Sequence, residues 1–97
     1  MAKKKAPVHP GSVLHSEFMK PQGTSSNQLG EILGVPANRI SDIVRGRRGV
    51  TADTALRLAR HFRTTSEYWM DLQRDYELGV TGAAIGGDIK KIRLAKK

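Results

Sequence analysis

No cysteine occurs among the 97 residues. Disulfide frameworks and thiolate metal sites are therefore excluded, and the chain suits a reducing compartment. Long apolar runs are missing too: none approaches the roughly 20 residues that span a bilayer. The lysines of "MAKKKAPVHP" have no apolar stretch behind them, so they do not open a secretory signal. A cytoplasmic chain is expected, with no membrane contact. His9, His15 and His61 are scattered without metal-ligand spacing. Ser25, Ser26, Ser41 and Asp42 pair no nucleophile with a base, and no glycine-rich phosphate loop precedes a helix. Neither an enzyme nor a metal or other cofactor is expected. Aromatics are few, one Trp, two Tyr and two Phe. Tyr68, Trp69 and Tyr76 lie in an acidic stretch, which argues against a small basic RNA-binding protein that stacks bases on aromatics.

What the chain has in excess is positive charge, +8 overall. That charge is unevenly placed. Residues 1–8 hold Lys3, Lys4 and Lys5, and residues 79–97 hold five cations against Asp88 alone. The body over 9–78 is nearly neutral yet segregated. Arg39, Arg45, Arg47 and Arg48 crowd one stretch, whereas Glu67, Asp71, Asp75 and Glu77 crowd another around Arg74. A polyanion at one end and a cationic partner at the other would fit this asymmetry.

Periodicity reads as all-α, with five helices in one small domain. Pro10 opens a first helix that closes at Pro21, with Leu14 and Phe18 one turn apart. Ser25 with Gln28 has capping-box spacing, so a second helix buries Leu29, Ile32 and Leu33 and stops at Gly34. Pro36 begins a third, whose Ile40, Ile43 and Val44 form a core stripe ending at Gly46. Thr51 caps a fourth with Asp53 in its first turn; Ala55, Leu58, Ala59 and Phe62 line one face. A fifth starts near Thr65 and carries Tyr68, Trp69, Leu72 and Tyr76. These four exceed what one small core takes up, so some are expected to anchor a two-fold dimer, Tyr68 and Trp69 first. Beyond Leu78, four glycines and no sustained period suggest a flexible basic tail over 79–97. The domain then spans 9–78, behind a basic arm over 1–8.

Two short helices around a Gly-centred turn form a helix-turn-helix, whose second helix enters the major groove of double-stranded DNA. At about 100° per residue, Asn38, Ser41, Asp42 and Arg45 fall opposite the apolar stripe, with Arg39 on the flank. Such side chains suit base edges. Asp42 has two open roles, touching a base or orienting Arg39 or Arg45 three residues away. In "RGRRG", Gly46 and Gly49 allow close approach to phosphate, and Arg45, Arg47 and Arg48 can neutralise it.

"HPGSVLHSEFMKP", "LGVPANRISDIVRGRRGVTADTALRLARHF" and "TTSEYWMDLQRDYEL" resemble the HigA family of antitoxins, within the Cro/phage-repressor class, over about residues 8 to 78. The resemblance implies a homodimer that represses its own operon and neutralises a HigB/RelE-like mRNA-cleaving toxin. It also implies that Ser26, Asn27 and Gln28 approach phosphates while Ala37, Asn38, Arg39, Ser41 and Asp42 face the groove. Gly30 stands where alanine is usual, a loss of about 1 kcal/mol in helix propensity, and Ala37 is shorter than the polar residue often found there. An RNA-cleaving toxin must itself be basic, so the acidic face of Glu67, Asp71 and Asp75, four residues apart, is expected to meet it. The segment from Val13 to Phe18 is a rival contact. A stand-alone helix-turn-helix regulator without a toxin fits the same residues.

Overall fold

The computed structural model describes residues 7–96, so the lysine arm expected over 1–8 lies outside the described residues apart from Pro7 and Val8. Among the described residues there are five helices and no strand. They are α1 (residues 10–22), α2 (Ser26–Leu33), α3 (Ala37–Val44), α4 (Ala52–Phe62) and α5 (Ser66–Lys90). Local signals set most boundaries. Ser25 Oγ accepts from the Gln28 N–H at 3.1 Å while Gln28 Oε1 accepts from the Ser25 N–H at 2.9 Å, closing the capping box. Gly34 ends α2 in the left-handed conformation, φ 74°. Thr51 and Thr65 cap α4 and α5 through their hydroxyls.

Two boundaries differ from the sequence reading. Pro21 does not end α1, which continues to Gln22 and stops at Gly23. Its middle, Leu14–Met19, is a π-helix, and that wider turn relieves the clash between the Pro21 ring and the preceding turn. The stretch over 79–97 is not an irregular tail: α5 continues through it to Lys90. Gly79, Gly82, Gly86 and Gly87 all keep negative φ, and no proline follows Pro36. Glycine weakens a helix by about 1 kcal/mol per residue but stops it only when it takes the left-handed turn.

The core is assembled from every helix. Leu14, Leu29, Ile40, Ile43, Leu58 and Trp69 are wholly buried. Ile32, expected inside, is 53% exposed. Glycine decides two helix contacts. A Cβ on Gly11 would collide with the Ile43 carbonyl, so the first turn of α1 lies directly on the last turn of α3. A Cβ on Gly30 would come within 2.9 Å of the Val35 carbonyl oxygen and 3.1 Å of the Ala37 Cα. The glycine that looked like a simple loss of helix propensity thus lets α2 and α3 pass close together.

His9 ties this frame to α5. Its Nδ1 accepts from the Gly11 N–H at 2.9 Å, capping α1, and its ring packs edge-on against Tyr76 at 4.8 Å. Burial pushes its pKa below the ordinary 6.5, against a hydrogen bond with the Arg48 backbone that acts the other way. The unfolded chain therefore takes up a proton more readily, and stability present at neutral pH is lost as pH falls below 6.5. Urea midpoints measured from about pH 7.5 down to about pH 5 should fall for the wild type and less steeply for His9→Ala. Identical slopes for the two proteins would contradict this role.

Candidate nucleic-acid interface

The two motif helices present their ends and one face. At the start of α2, the Ser25 cap takes the Gln28 amide, and the first-turn amides of Ser26 and Asn27 add to the positive end of the helix dipole, the arrangement that holds a phosphate. Asn27 and Gln28 are exposed there, Ser26 half-buried.

On α3, burial of Ile40 and Ile43 turns Asn38, Ser41 and Arg45 outward. Asn38 and Arg45 are exposed and make no side-chain hydrogen bond among the described residues, while Ser41 Oγ donates to the Asn38 carbonyl at 3.3 Å. Ala37 is half-buried at the head of the helix. An amide and a guanidinium on one helical face can read base edges in the major groove.

Arg39 is turned aside from that face. Its Nη1 lies 3.1 Å from Asp53 Oδ1 on α4. The same oxygen receives Arg57 Nε at 2.7 Å, and Arg57 Nη1 donates to the Leu33 carbonyl at 2.7 Å. The Arg57 hydrogen bond, with the charges of Arg57 and Arg39, holds the Asp53 carboxyl below its usual range. This ladder joins the end of α2 to α4 and to the flank of α3.

Asp42 lies beside a different arginine from the two expected. Its carboxylate lies 4.0 Å from Arg48 Nη2, and its carbonyl accepts from the Arg47 and Arg48 amides at 2.8 and 3.2 Å. Arg45, Arg47 and Arg48 all remain exposed on the bend made by Gly46 at φ 76°. Gln73 of α5 fastens the far end of this loop. It is buried, its Oε1 accepts from the Val50 N–H at 2.7 Å, and its Nε2 donates to Glu77 at 2.7 Å. Sequence reasoning missed Gln73. Its one signal is its place one turn after Trp69, where a core-facing position carries an amide.

The residues expected at a dimer interface separate. Trp69 has no exposed surface; it packs against Phe18 at 5.0 Å and donates Nε1–H to Thr64 Oγ1 at 2.8 Å. It fills the core and cannot anchor a partner. Leu72 packs on the core, Tyr76 sits against His9, and only Tyr68 stays 39% exposed. The acidic face is also partly neutralised. Arg74 reaches Asp71 at 3.1 Å and Asp75 at 3.0 Å, and Glu67 accepts from Ser66 Oγ at 3.2 Å. No group of three or more potential metal-ligating side chains occurs among the described residues.

A family profile described as Helix-turn-helix matches residues 16–69. Antitoxin HigA-1 of Vibrio cholerae is 38% identical over 76 residues, covering 77% of this chain and 70% of that protein. The chain is a member of the HigA antitoxin family. Virulence-associated protein I of Dichelobacter nodosus is 46% identical over 71 residues, 73% of this chain; the match spans 66% of that protein's length. The solved Pseudomonas aeruginosa antitoxin HigA with higBA promoter superposes with a TM-score of 0.89 at 41% identity, covering 93% of this chain and 99% of that one. HigA proteins are helix-turn-helix regulators and not enzymes.

The ladder at Asp53 has a measurable consequence. Asp53→Asn should release Arg39 toward a bound duplex, raising affinity at low salt and steepening the salt dependence by about one unit. The urea midpoint should move little, because both ion pairs are exposed. Salt titration by fluorescence anisotropy checks this; unchanged affinity and slope would mean that Arg39 stays clear of the DNA.

Proposed function

We propose that this chain is a cytoplasmic antitoxin that binds operator DNA as a homodimer, represses its own operon and neutralises a basic, RelE-like mRNA-cleaving toxin of the HigB type. The observation that carries the DNA reading is the outward face of Asn38, Ser41 and Arg45. It stands between the capped start of α2 and an arginine loop braced from within by Asp42 and Gln73. Phosphate contacts from the α2 amides, Arg47 and Arg48 set register, and α3 reads bases. The related P. aeruginosa structure contains a promoter, which supports the same use of the same fold. One such unit touches few bases, so two copies on half-sites about 34–36 Å apart, or a multiple of that, give a specific repressor. The chain's aromatics favour DNA over single-stranded RNA: Trp69 is buried and Phe18 is packed on the core, where neither can stack a base.

The toxin reading rests on charge. Glu67, Asp71 and Asp75 are exposed on α5, which packs on α1 and α4, whereas α3 packs on α2 and α1. Toxin and operator would therefore use different elements, with carboxylates steering a basic partner.

Gel-shift titrations at several salt concentrations test the first part. Asn38→Ala should lose about 1–3 kcal/mol on operator DNA and little on random DNA. Arg47→Ala should weaken both alike and flatten the salt slope by about one unit. Equal losses on both DNAs for Asn38→Ala would refute the groove face. For the second part, Glu67→Lys with Asp71→Lys should slow toxin association at low ionic strength and leave operator binding intact. An unchanged rate places the toxin elsewhere, with the Val13 to Phe18 segment next to be tried.

A further inference from the structure

Four consecutive residues of the arginine loop, Arg45 to Arg48, are exposed, and the chain is buried again only at Val50. Burial does not order such a stretch, so polar ties must set where its guanidinium groups stand. Two ties come from α3 and α5: the Asp42 carbonyl takes the Arg47 and Arg48 amides, and Gln73 takes the Val50 amide. A third comes from ahead of α1. His9 is half-buried, with its Nδ1 accepting from the Gly11 N–H at 2.9 Å and its ring edge-on to Tyr76 at 4.8 Å. On the loop side the ring lies against Gly46, where a Cβ would stand 3.9 Å from His9 Cγ and Cδ2. The Arg48 backbone also hydrogen-bonds the ring, and that bond favours the protonated form, so the ring donates to the Arg48 carbonyl. With Nδ1 already accepting, the donor is Nε2.

Both polar groups of the Arg48 backbone are then held, the amide by Asp42 and the carbonyl by His9, while its guanidinium stays exposed. The segment ahead of His9 is itself pinned to α5. A Cβ on Gly79 would come within 2.8 Å of Pro7 Cγ, so the Pro7 ring lies directly on that helix. Pro7 and His9 thus meet α5 one turn apart, at Gly79 and Tyr76. Helix caps are ordinarily Ser, Thr, Asp or Asn. Histidine adds what none of these has, a second ring nitrogen directed away from the cap. We propose that His9 is a positioning residue for DNA binding: through Gly46 and the Arg48 carbonyl it fixes the arginine loop, so that Arg47 and Arg48 meet phosphates without first having to be ordered. This rests on the DNA-binding reading above and adds a residue that acts through the loop rather than on the duplex.

Two substitutions divide the work of the ring. In His9→Asn the amide oxygen can replace Nδ1 as the cap, but the side chain is too short to reach Arg48. In His9→Gln the amide nitrogen can replace Nε2 as donor, and the cap is lost. The urea midpoint should fall less for His9→Asn than for His9→Gln. Affinity for the promoter duplex, measured by anisotropy on the folded proteins, should rank the other way. His9→Asn should lose about three- to tenfold, on promoter and random DNA alike because loop contacts are sequence-blind, and His9→Gln should lose less. Affinities that follow the urea midpoints, or that do not change, mean that His9 only stabilises the fold, and either result overturns the proposal. Imidazole nitrogen spectra of the wild type at neutral pH should show the proton on Nε2; a proton on Nδ1 overturns the tie to Arg48. A wild type that binds neither duplex refutes the DNA-binding reading itself. A wild type that prefers its promoter, beside an unaltered His9→Asn, removes the role of His9 alone.

Discussion

Gly11 rests against the carbonyl of Ile43, and no side chain fits between them. This contact fixes the angle at which the first turn of α1 crosses the last turn of α3. Pro10 and Gly11 are buried by it, and His9 caps the same turn while its ring meets Tyr76 of α5. The orientation of α3 is thus settled by residues more than thirty positions away in the chain. What α3 buries against this frame is apolar; what remains is the polar face that can meet a duplex.

Around that contact, polar ties hold the rest in register. Arg57 carries the end of α2 to α4 through the Leu33 carbonyl, and Asp53 extends the link to Arg39. Gln73 reaches from α5 to the Val50 amide, and Asp42 receives two amides of the arginine loop. Each exposed pair contributes little to stability. Their effect is positional: the loop arginines stand on a braced backbone, so less ordering entropy is lost when they meet phosphate. The buried Gln73 bonds differ, since losing either partner strands a buried polar group.

Much of this was legible because it is local. The capping box at Ser25 and Gln28, the Gly34 stop, the Thr51 cap and the stripe of Ile40 and Ile43 are all set within a few residues, and the structure has each of them. The misreadings came from tertiary contacts or from cancelling local signals. Arg39 sits on the flank of α3 by periodicity, but only the fold shows that Asp53 waits there. Trp69 and Tyr68 look alike in sequence, yet a one-residue step on a helix sends one to the core and the other to the surface. Pro21 and the α5 glycines are breakers by propensity; a π turn absorbs the first, and the others never leave helical φ. No local pattern announces that Gly11 must be glycine.

Amide chemical-shift mapping of the intact protein, titrated with its own promoter duplex, tests most directly whether one rigid frame presents the α3 face and its loop to DNA. The largest changes should fall on Ser26 to Gln28, on Ala37 to Arg45 and on Arg47 and Arg48, with the core amides around Leu58 and Trp69 nearly still. Changes centred instead on the start of α5, or on the exposed Ile32 and Leu56 side of α2 and α4, would contradict it.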